Sequence, residues 1–327
     1  METKLLGREG IALGAELIRK GEVVAFPTET VYGLGGDAFS DTAVKKIYEA
    51  KGRPSDNPLI VHMSKPEDAY RVAENIPEIY FKLAERFMPG ALTVILPKRK
   101  DVPNAVSGGL DTIAVRLPSH DIARALIEQS GTLIAAPSAN TSTHISPTSA
   151  RHVYDDLNGR IPLILDGGDC EVGIESTILS LTRDIPTILR PGIICESDLL
   201  SVMDAVELYG GSCKKAEAPG MKYKHYAPRC RAVLASSPDK AAELYDEAEK
   251  NGGRPEILSL AEHIGFYGSR RQINLGGNGK EVARHIYNAL HRAENEADLI
   301  IIDKLEGGGV YESVMNRILK ATSGRVE

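Results

Sequence analysis

Lys51, Arg53, Ser55 and Asn57 fall within seven residues of KGRPSDNPLIVH, and Pro54 and Pro58 restrict the backbone between them. A guanidinium offers a planar fork for phosphate or carboxylate, and an ammonium adds a point charge suited to a polyphosphate. Such a cluster fits an oligo-anion. The same cations would also serve as a solvated turn complementing the C-terminus of a preceding helix.

Four further stretches carry polar groups where chemistry could use them. PTETVYGLGGD (27 to 37) leaves an apolar run with two threonines, a carboxylate and a tyrosine ahead of Gly33, Gly35 and Gly36, which permit close backbone approach. It is neither a Walker loop nor GxGxxG, and it would equally serve as a glycine turn with capping threonines. In SGGLDTIAVRLP, a period of two sets Thr112, Ala114 and Arg116 on one strand face. A buried Arg116 needs an anionic partner, either an internal carboxylate or a carboxylate of a substrate. His62, inside LIVHM, reads either as a hydrogen-bonded core histidine or as a substrate contact. AAPSANTSTHISPTSA (135 to 150) gathers hydroxyls and an amide, with Ser138, Asn140, Ser142 and Ser146 suited to orienting ligand oxygens or metal-bound water, or to forming a polar surface loop.

No Ser-His-Asp arrangement appears at a recognisable spacing, so positioning and charge neutralisation are the chemistry on offer. Ser176 and Thr177 open a strand at GIESTILSL, and Arg190 ends one at TILRPG. KYKHYAPR adds cations with Tyr223, His225 and Tyr226, in what could equally be a flexible tether.

Elements that would hold these groups follow from periodicity. Helices are expected at 9 to 20 (stopped by Gly21), 41 to 51, 66 to 74, 77 to 87, 120 to 130 and 196 to 208. Strands are expected at EVVAFP, LIVHM, ALTVILP, TIAVRLP, TLIAAP, IPLILDGG, STILSLT and PTILRPG. With no helix expected between 91 to 97 and 112 to 118, a purely doubly wound sheet is excluded in favour of a mixed one. Residues 210 to 230 lack an apolar period and read as a linker. Beyond it RAVLAS, PEILSL, RQINLG and ADLIIID alternate with helices at 238 to 250, 279 to 294 and 310 to 321, the pattern of a small parallel α/β domain. The expected division is 1–209, a linker at 210–230, and 231–327.

Composition sets the outer bounds. The 327 residues, 42% hydrophobic and 26% charged, suit two folded domains better than one. No apolar run spans a bilayer and the N-terminus lacks a secretory core, so a cytoplasmic location is expected. Cys170, Cys195, Cys213 and Cys230 are dispersed without a CxxC pair, which fits reduced thiols. The net charge of -6 offers no general field for nucleic acid, although cations concentrate between 51 and 100.

PTETVYGLG (27 to 35), KGRPSDNPL (51 to 59), TIAVRLP, PSAN (137 to 140), the EST step at 175 to 177 and LRPG (189 to 192) together resemble the threonylcarbamoyl-AMP synthase family of YrdC-like enzymes. The resemblance holds in order and spacing over residues 8 to 200. KHYAP (224 to 228) resembles the linker of the longer, two-domain form. The resemblance implies a twisted mixed YrdC-like sheet with flanking helices and a concave active site, followed by a Rossmann-like domain. It implies L-threonine, bicarbonate or CO2, and ATP with Mg2+ as reactants, no organic cofactor, and L-threonylcarbamoyladenylate and pyrophosphate as products. The adenylate would pass to a tRNA threonylcarbamoyltransferase complex, with direct tRNA binding weak or absent.

Carried over by position, Thr30, His62, Arg116, Ala136 and Ser176 form the threonine site, with Arg116 on the amino-acid carboxylate. Arg53, Asn57, Thr112, Ser138, Asn140, Ser146, Arg190 and Tyr226 form the ATP site, with Lys51 on phosphate. Lys51, Arg53 and Arg116 are the catalytic cations, and the metal ligands are left open. Tyr226 in the linker suggests a tether that folds over the nucleotide as a lid. Two rivals, an RNA-binding module and a carbamoyl-phosphate-dependent transferase, lack an RNP-type motif and zinc-finger or acylphosphatase-like segments respectively.

Overall fold

A computed structural model describes residues 2–210, 217–218 and 225–327 of the chain, so Cys213 and Tyr223 lie outside the described residues. The chain divides into two compact units. The first comprises Met1–Ser142, Pro147–Glu171 and Glu175–Tyr223; the second comprises Thr143–Ser146, Val172–Ile174 and Lys224–Glu327.

In the first unit the elements run β1 (Lys4–Leu6), α1 (Ile11–Arg19), β2 (Val24–Phe26), β3 (Gly33–Asp37), α2 (Asp41–Lys51), β4 (Ile60–His62), α3 (Glu78–Phe87), β5 (Leu92–Pro97) and α4 (Asn104–Ser107). They continue with β6 (Thr112–Arg116), α5 (Asp121–Ser130), β7 (Ile134–Ala136), α6 (Ala150–Leu157), β8 (Leu163–Leu165), β9 (Thr177–Ser180), β10 (Thr187–Arg190), α7 (Glu196–Leu199) and β11 (Glu207–Leu208). One mixed sheet takes the order β1-β8-β2-β3-β7-β4-β6-β5-β9-β10-β11. β5 and β6 pair antiparallel across a link holding only the one-turn α4, as the missing crossover helix requires.

Register decides which side chains share a face. Ile60 pairs with Ala136 and Ala114, His62 with Arg116, Arg116 with Thr93, Thr93 with Ile178, and Ile178 with Arg190. His62, Thr93, Thr112, Ala114, Arg116, Ala136 and Arg190 therefore lie on one face. At the β8-β2-β3-β7 end this face is covered by α1 and α5, whose Ile11, Ile18, Ile122 and Leu126 pack with Val24, Phe26, Ile134 and Leu165. Toward β5 and β9 it instead carries Ile60, Ile95, Ala114, Ile178 and Leu189, with Ala218 buried among them. The opposite face holds the largest core, where Val44 and Ile47 of α2, Leu83 of α3 and Val153 of α6 meet Val61, Val94 and Val115.

Three local expectations differ. The glycine-rich stretch read as a loop is strand β3, because Phe26 and Ile134 pack onto its bare face. A Cβ on Gly35 would stand 2.4 Å from Ile134 Cγ2 and 2.7 Å from Phe26 Cε1. Its glycines thus make room for the protein's own core. The helix expected over 196 to 208 is the single turn α7, after which Glu207 N and Tyr209 N donate to Pro186 O and Ile188 O and commit the backbone to edge strand β11. The helix expected at 66 to 74 is a 3-10 turn, Pro66–Arg71, tied at its start by the Asp68 carboxylate, which accepts from Ser64 N and Lys65 N. Strand β1 and helix α6, capped by Ser149, were not expected.

In the second unit β12 (Arg231–Leu234), α8 (Pro238–Lys250), β13 (Pro255–Leu260), α9 (Ile264–Tyr267), β14 (Gln272–Gly276), α10 (Gly279–Glu296), β15 (Leu299–Ile302) and α11 (Val310–Ala321) follow one another. Its four strands are all parallel, ordered β12-β15-β13-β14. The unit begins ahead of the expected residue 231 and takes in two short segments from earlier in the chain. One is held by His144, whose Nε2 lies 3.0 Å from Glu294 Oε2, and by His291 Nε2, 3.3 Å from Ser146 O.

Candidate functional site

β2 ends at Phe26 and releases the PTET turn, whose shape is fixed by its own hydroxyls. Thr28 Oγ1 donates to Val31 O at 2.6 Å, accepts from Thr30 N at 3.2 Å, and lies 2.8 Å from Thr30 Oγ1. Tyr32 anchors the far side, donating to Gly168 O at 2.7 Å and accepting from Gly167 N at 3.1 Å. Between the two threonines the Glu29 carboxylate turns inward.

Arg116 ends β6 and is buried. Of the two partners its sequence context left open, the structure shows the internal one: Nη2 stands 2.8 Å from Glu29 Oε1, with both side chains 5–7% exposed. That separation is an ion pair in distance only. Neither atom has a hydrogen-bond partner among the described residues, because the N–H does not point along the contact. Glu29 Oε2 is satisfied by Ser119 N at 3.1 Å, and Arg116 Nε reaches Gly90 O at 3.4 Å.

His62 lies beside Arg116 in register, its ring edge-on to Phe26 at 5.7 Å and its Nδ1 3.1 Å from Ile60 O. Burial, reinforced by the Arg116 charge, lowers its pKa to about 3, so the imidazole is neutral. Across the face, Ser176 Oγ is 2.7 Å from Thr93 Oγ1 and accepts from Arg190 Nη2 at 3.2 Å, while Arg190 Nε donates to Ser176 O at 3.1 Å. Ala136 ends β7 on the same face. Thr30, His62, Arg116, Ala136 and Ser176 thus belong to the mouths of strands in one unit, whose register brings His62, Arg116 and Ala136 onto one face.

The KGRPSDNPL segment is built differently from its sequence reading. Lys51 closes α2, Gly52 turns the chain at φ 62°, and Lys51 is 1% exposed. Its ammonium donates inward to Ser138 O at 2.6 Å, to Asn140 O, and to Asn140 Oδ1 at 3.2 Å. Three acceptors account for its three protons. The expected phosphate contact is therefore a brace that locks the PSAN loop to the end of α2. Its pKa is held well below the usual lysine value, first by burial and then by the Arg53 charge. Arg53 is half-buried and donates from Nη2 to Pro58 O at 3.2 Å, while Tyr48 donates to Asn57 O at 3.0 Å. Asn57 Oδ1 is buried with no hydrogen-bond partner among the described residues, and Ser138 Oγ donates to Asn140 Oδ1 at 2.6 Å. Thr112 opens β6 at the far end from Arg116.

Two expected residues lie in the second unit. Ser146 is buried there, and Tyr226 adopts φ 65° with its ring centroid 5.4 Å from that of Tyr287. Tyr226, read as part of a tether, is built into that unit. Of the expected linker, Glu217 pairs with Arg183 at 2.8 Å and Ala218 is buried on the site face of the first unit. The sequence reading counted the Glu29 carboxylate without giving it a role, and passed over Thr93. Thr93 carries the same signal as Arg116, a polar side chain at an inward position of an apolar strand; Glu29 had only its place at a strand's mouth.

Comparison with known proteins matches this architecture along its length. Residues 16–192 match the family described as Telomere recombination, and residues 193–323 match Threonylcarbamoyl-AMP synthase, C-terminal domain. The threonylcarbamoyl-AMP synthase of Pyrococcus abyssi is 44% identical over 326 residues, covering 97% of this chain and 95% of its own. That of Bacillus subtilis is 46% identical over 324 residues, covering 97% and 94%. The crystal structure of P. abyssi Sua5 complexed with L-threonine aligns with a TM-score of 0.93 at 41% identity, covering 100% of this chain and 99% of that one. The chain belongs to the threonylcarbamoyl-AMP synthase family, in its two-domain form.

Proposed function

We propose that this protein makes L-threonylcarbamoyl-AMP from L-threonine, bicarbonate or CO2, and ATP, releasing pyrophosphate. The observation that carries the reading is the polar row His62, Arg116, Thr93 and Ser176 across the mouths of strands, beside the apolar Ile60, Ile95, Ala114 and Ile178 of the same face. The relatives named for this product and the Sua5 relative complexed with L-threonine support it.

Threonine's amine adds to CO2, giving a carbamate and releasing a proton. A carbamate oxygen then attacks the α-phosphorus of ATP and pyrophosphate leaves with the electrons of the broken P–O bond. No covalent enzyme intermediate is required, so the protein's part is alignment and charge neutralisation. Arg116 receives the amino-acid carboxylate, with Thr30, His62, Ala136 and Ser176 framing the side chain. Neutral His62 adds polarity without adding a second positive charge.

Arg53, Asn57, Thr112, Ser138, Asn140 and Arg190 are the residues proposed for ATP; Ser146 and Tyr226 are carried by the resemblance alone. Lys51 acts through the loop that bears Ser138 and Asn140. No three His, Cys, Asp or Glu side chains among the described residues gather as a metal-ligand set. Mg2+ would enter on the ATP phosphates, as this ion commonly does, with hydroxyl and amide groups orienting its water. It would supply neutralisation of phosphate charge during the displacement.

No helix among the described residues is long and apolar enough to cross a membrane. Work in the cytoplasm, and transfer of the adenylate to a tRNA-modifying transferase, complete the proposal. Pyrophosphate release from ATP that requires both threonine and bicarbonate, and proceeds without tRNA, is the expected result. Release independent of threonine, or dependent on tRNA, would overturn it.

A further inference from the structure

Threonine arrives as a zwitterion, so its site must answer two charges, and Arg116 answers only the carboxylate. The ammonium needs an acceptor, best an anionic one shielded from water. Among the described residues of the first unit, the titratable groups His62, Cys170 and Glu29 interact with Arg116. His62 already has Nδ1 against Ile60 O. Burial pushes the Cys170 thiol far up, so it keeps its proton and offers only a weak acceptor.

Glu29 is different. Oε2 is occupied by Ser119 N, while Oε1 is buried without a hydrogen bond and lies 2.8 Å from Arg116 Nη2, itself buried without one. The Thr28 and Thr30 hydroxyls, 2.8 Å apart on either side, hold the turn that keeps this carboxylate inward. One unmet donor and one unmet acceptor, adjacent and opposite in charge, complement an α-amino acid's two charged groups.

We infer that Glu29 binds the α-ammonium of the substrate and determines the enzyme's choice of amino acids over 2-hydroxy acids. The inference rests on the threonine reading of this site. On binding, the off-axis Glu29–Arg116 contact gives way to two aligned bonds, Arg116 Nη2 to the substrate carboxylate and the substrate ammonium to Glu29 Oε1. A hydroxyl in place of the ammonium leaves Oε1 facing a neutral group, with only the off-axis Arg116 contact to answer its charge.

Calorimetric titration of the full-length protein with L-threonine and with its deaminated analogue, carrying a hydroxyl for the ammonium, tests this directly. Wild type is expected to prefer threonine by at least about 100-fold, since a site built around a polar group strongly rejects an analogue lacking it. Glu29→Gln keeps the shape and the acceptor for Ser119 N but removes the charge, and should bring the preference to within about tenfold, while Glu29→Asp retains more of it. A Glu29→Gln protein with the wild-type ratio overturns the inference.

Arg116→Ala separates the two levels. If it weakens threonine binding while Glu29→Gln keeps the ratio, only the role of Glu29 falls; if it leaves threonine binding unchanged, the site reading falls with it. Should Glu29→Gln fail to fold, the pH dependence of threonine affinity in wild type decides. Affinity falls as the ammonium loses its proton if Glu29 holds it, and a flat profile through that transition overturns the inference.

Discussion

Glu29 and Asp303 are buried carboxylates just past the ends of parallel-paired strands, one in each unit, and the chain treats them oppositely. Asp303 Oδ2 accepts from Leu260 N at 2.9 Å and faces His263 Nδ1 at 2.9 Å, and Oδ1 accepts from Tyr267 Oη. Every oxygen is answered by the unit's own residues. Glu29 keeps one oxygen without a hydrogen bond beside an arginine in the same condition. A buried charge is tolerated when its hydrogen bonds are complete and is costly when they are not. At Asp303 the completed set ties the carboxylate to the fold, whereas the open oxygen of Glu29 is one that a ligand could finish. Two cations of the first unit divide the same way, Lys51 with three hydrogen-bond acceptors and Arg116 with an Nη2 that makes no hydrogen bond although it lies 2.8 Å from Glu29 Oε1.

The largest effect expected from this contrast is on stability. Asp303→Ala leaves Leu260 N and Tyr267 Oη without their acceptor inside the second unit, and should cost about 3 to 4 kcal/mol in urea unfolding. The Michaelis constant for threonine should stay unchanged below the transition. A cost under about 1 kcal/mol would remove Asp303 as the example of a completed charge. Lys51→Met comes next: the apolar side chain fills the space but withdraws donors from Ser138 O and Asn140 O, for an expected loss of about 2 to 3 kcal/mol. Full stability combined with weakened ATP binding would instead return Lys51 to the phosphates.

Much of the architecture was legible because it is locally encoded. Helices α2 and α8 carry their stop and start signals in the chain: Ser40 accepts from Ala43 N and Gly52 turns left-handed, and Ser237 accepts from Lys240 N ahead of Pro238. Arg116 announced itself as a charge inside an apolar strand. What escaped depends on partners distant in sequence. Gly33 and Gly35 look like turn residues until Phe26 and Ile134 are known to lie against them. The three acceptors of Lys51 lie 87 and 89 residues downstream, so a cation beside prolines read as part of a cluster for an oligo-anion. Membership of Thr143–Ser146 in the second unit rests on His291 and Glu294, and nothing near residue 143 foretells it.

Arg116→Ala measures the incomplete side of the comparison through the substrate. It should raise the threonine Michaelis constant at least about tenfold, the lower range of a charge-assisted bond. An unaltered threonine dependence would leave Arg116 as nothing more than the partner of Glu29.

His62 gives the smallest effect and a readout by pH. Native His62 remains unprotonated down to about pH 3, whereas an unfolded imidazole takes up a proton below about pH 6.5. Between those values the unfolded state binds more protons, so this residue makes stability fall as pH falls, by up to about 1.4 kcal/mol per pH unit. His62→Gln lacks that proton uptake. Between about pH 6 and pH 5 its unfolding free energy should therefore drop by roughly 1 kcal/mol less than that of wild type. Parallel pH profiles for the two proteins would mean that native His62 accepts a proton despite burial and the Arg116 charge, and that the site holds two positive charges where the geometry calls for one.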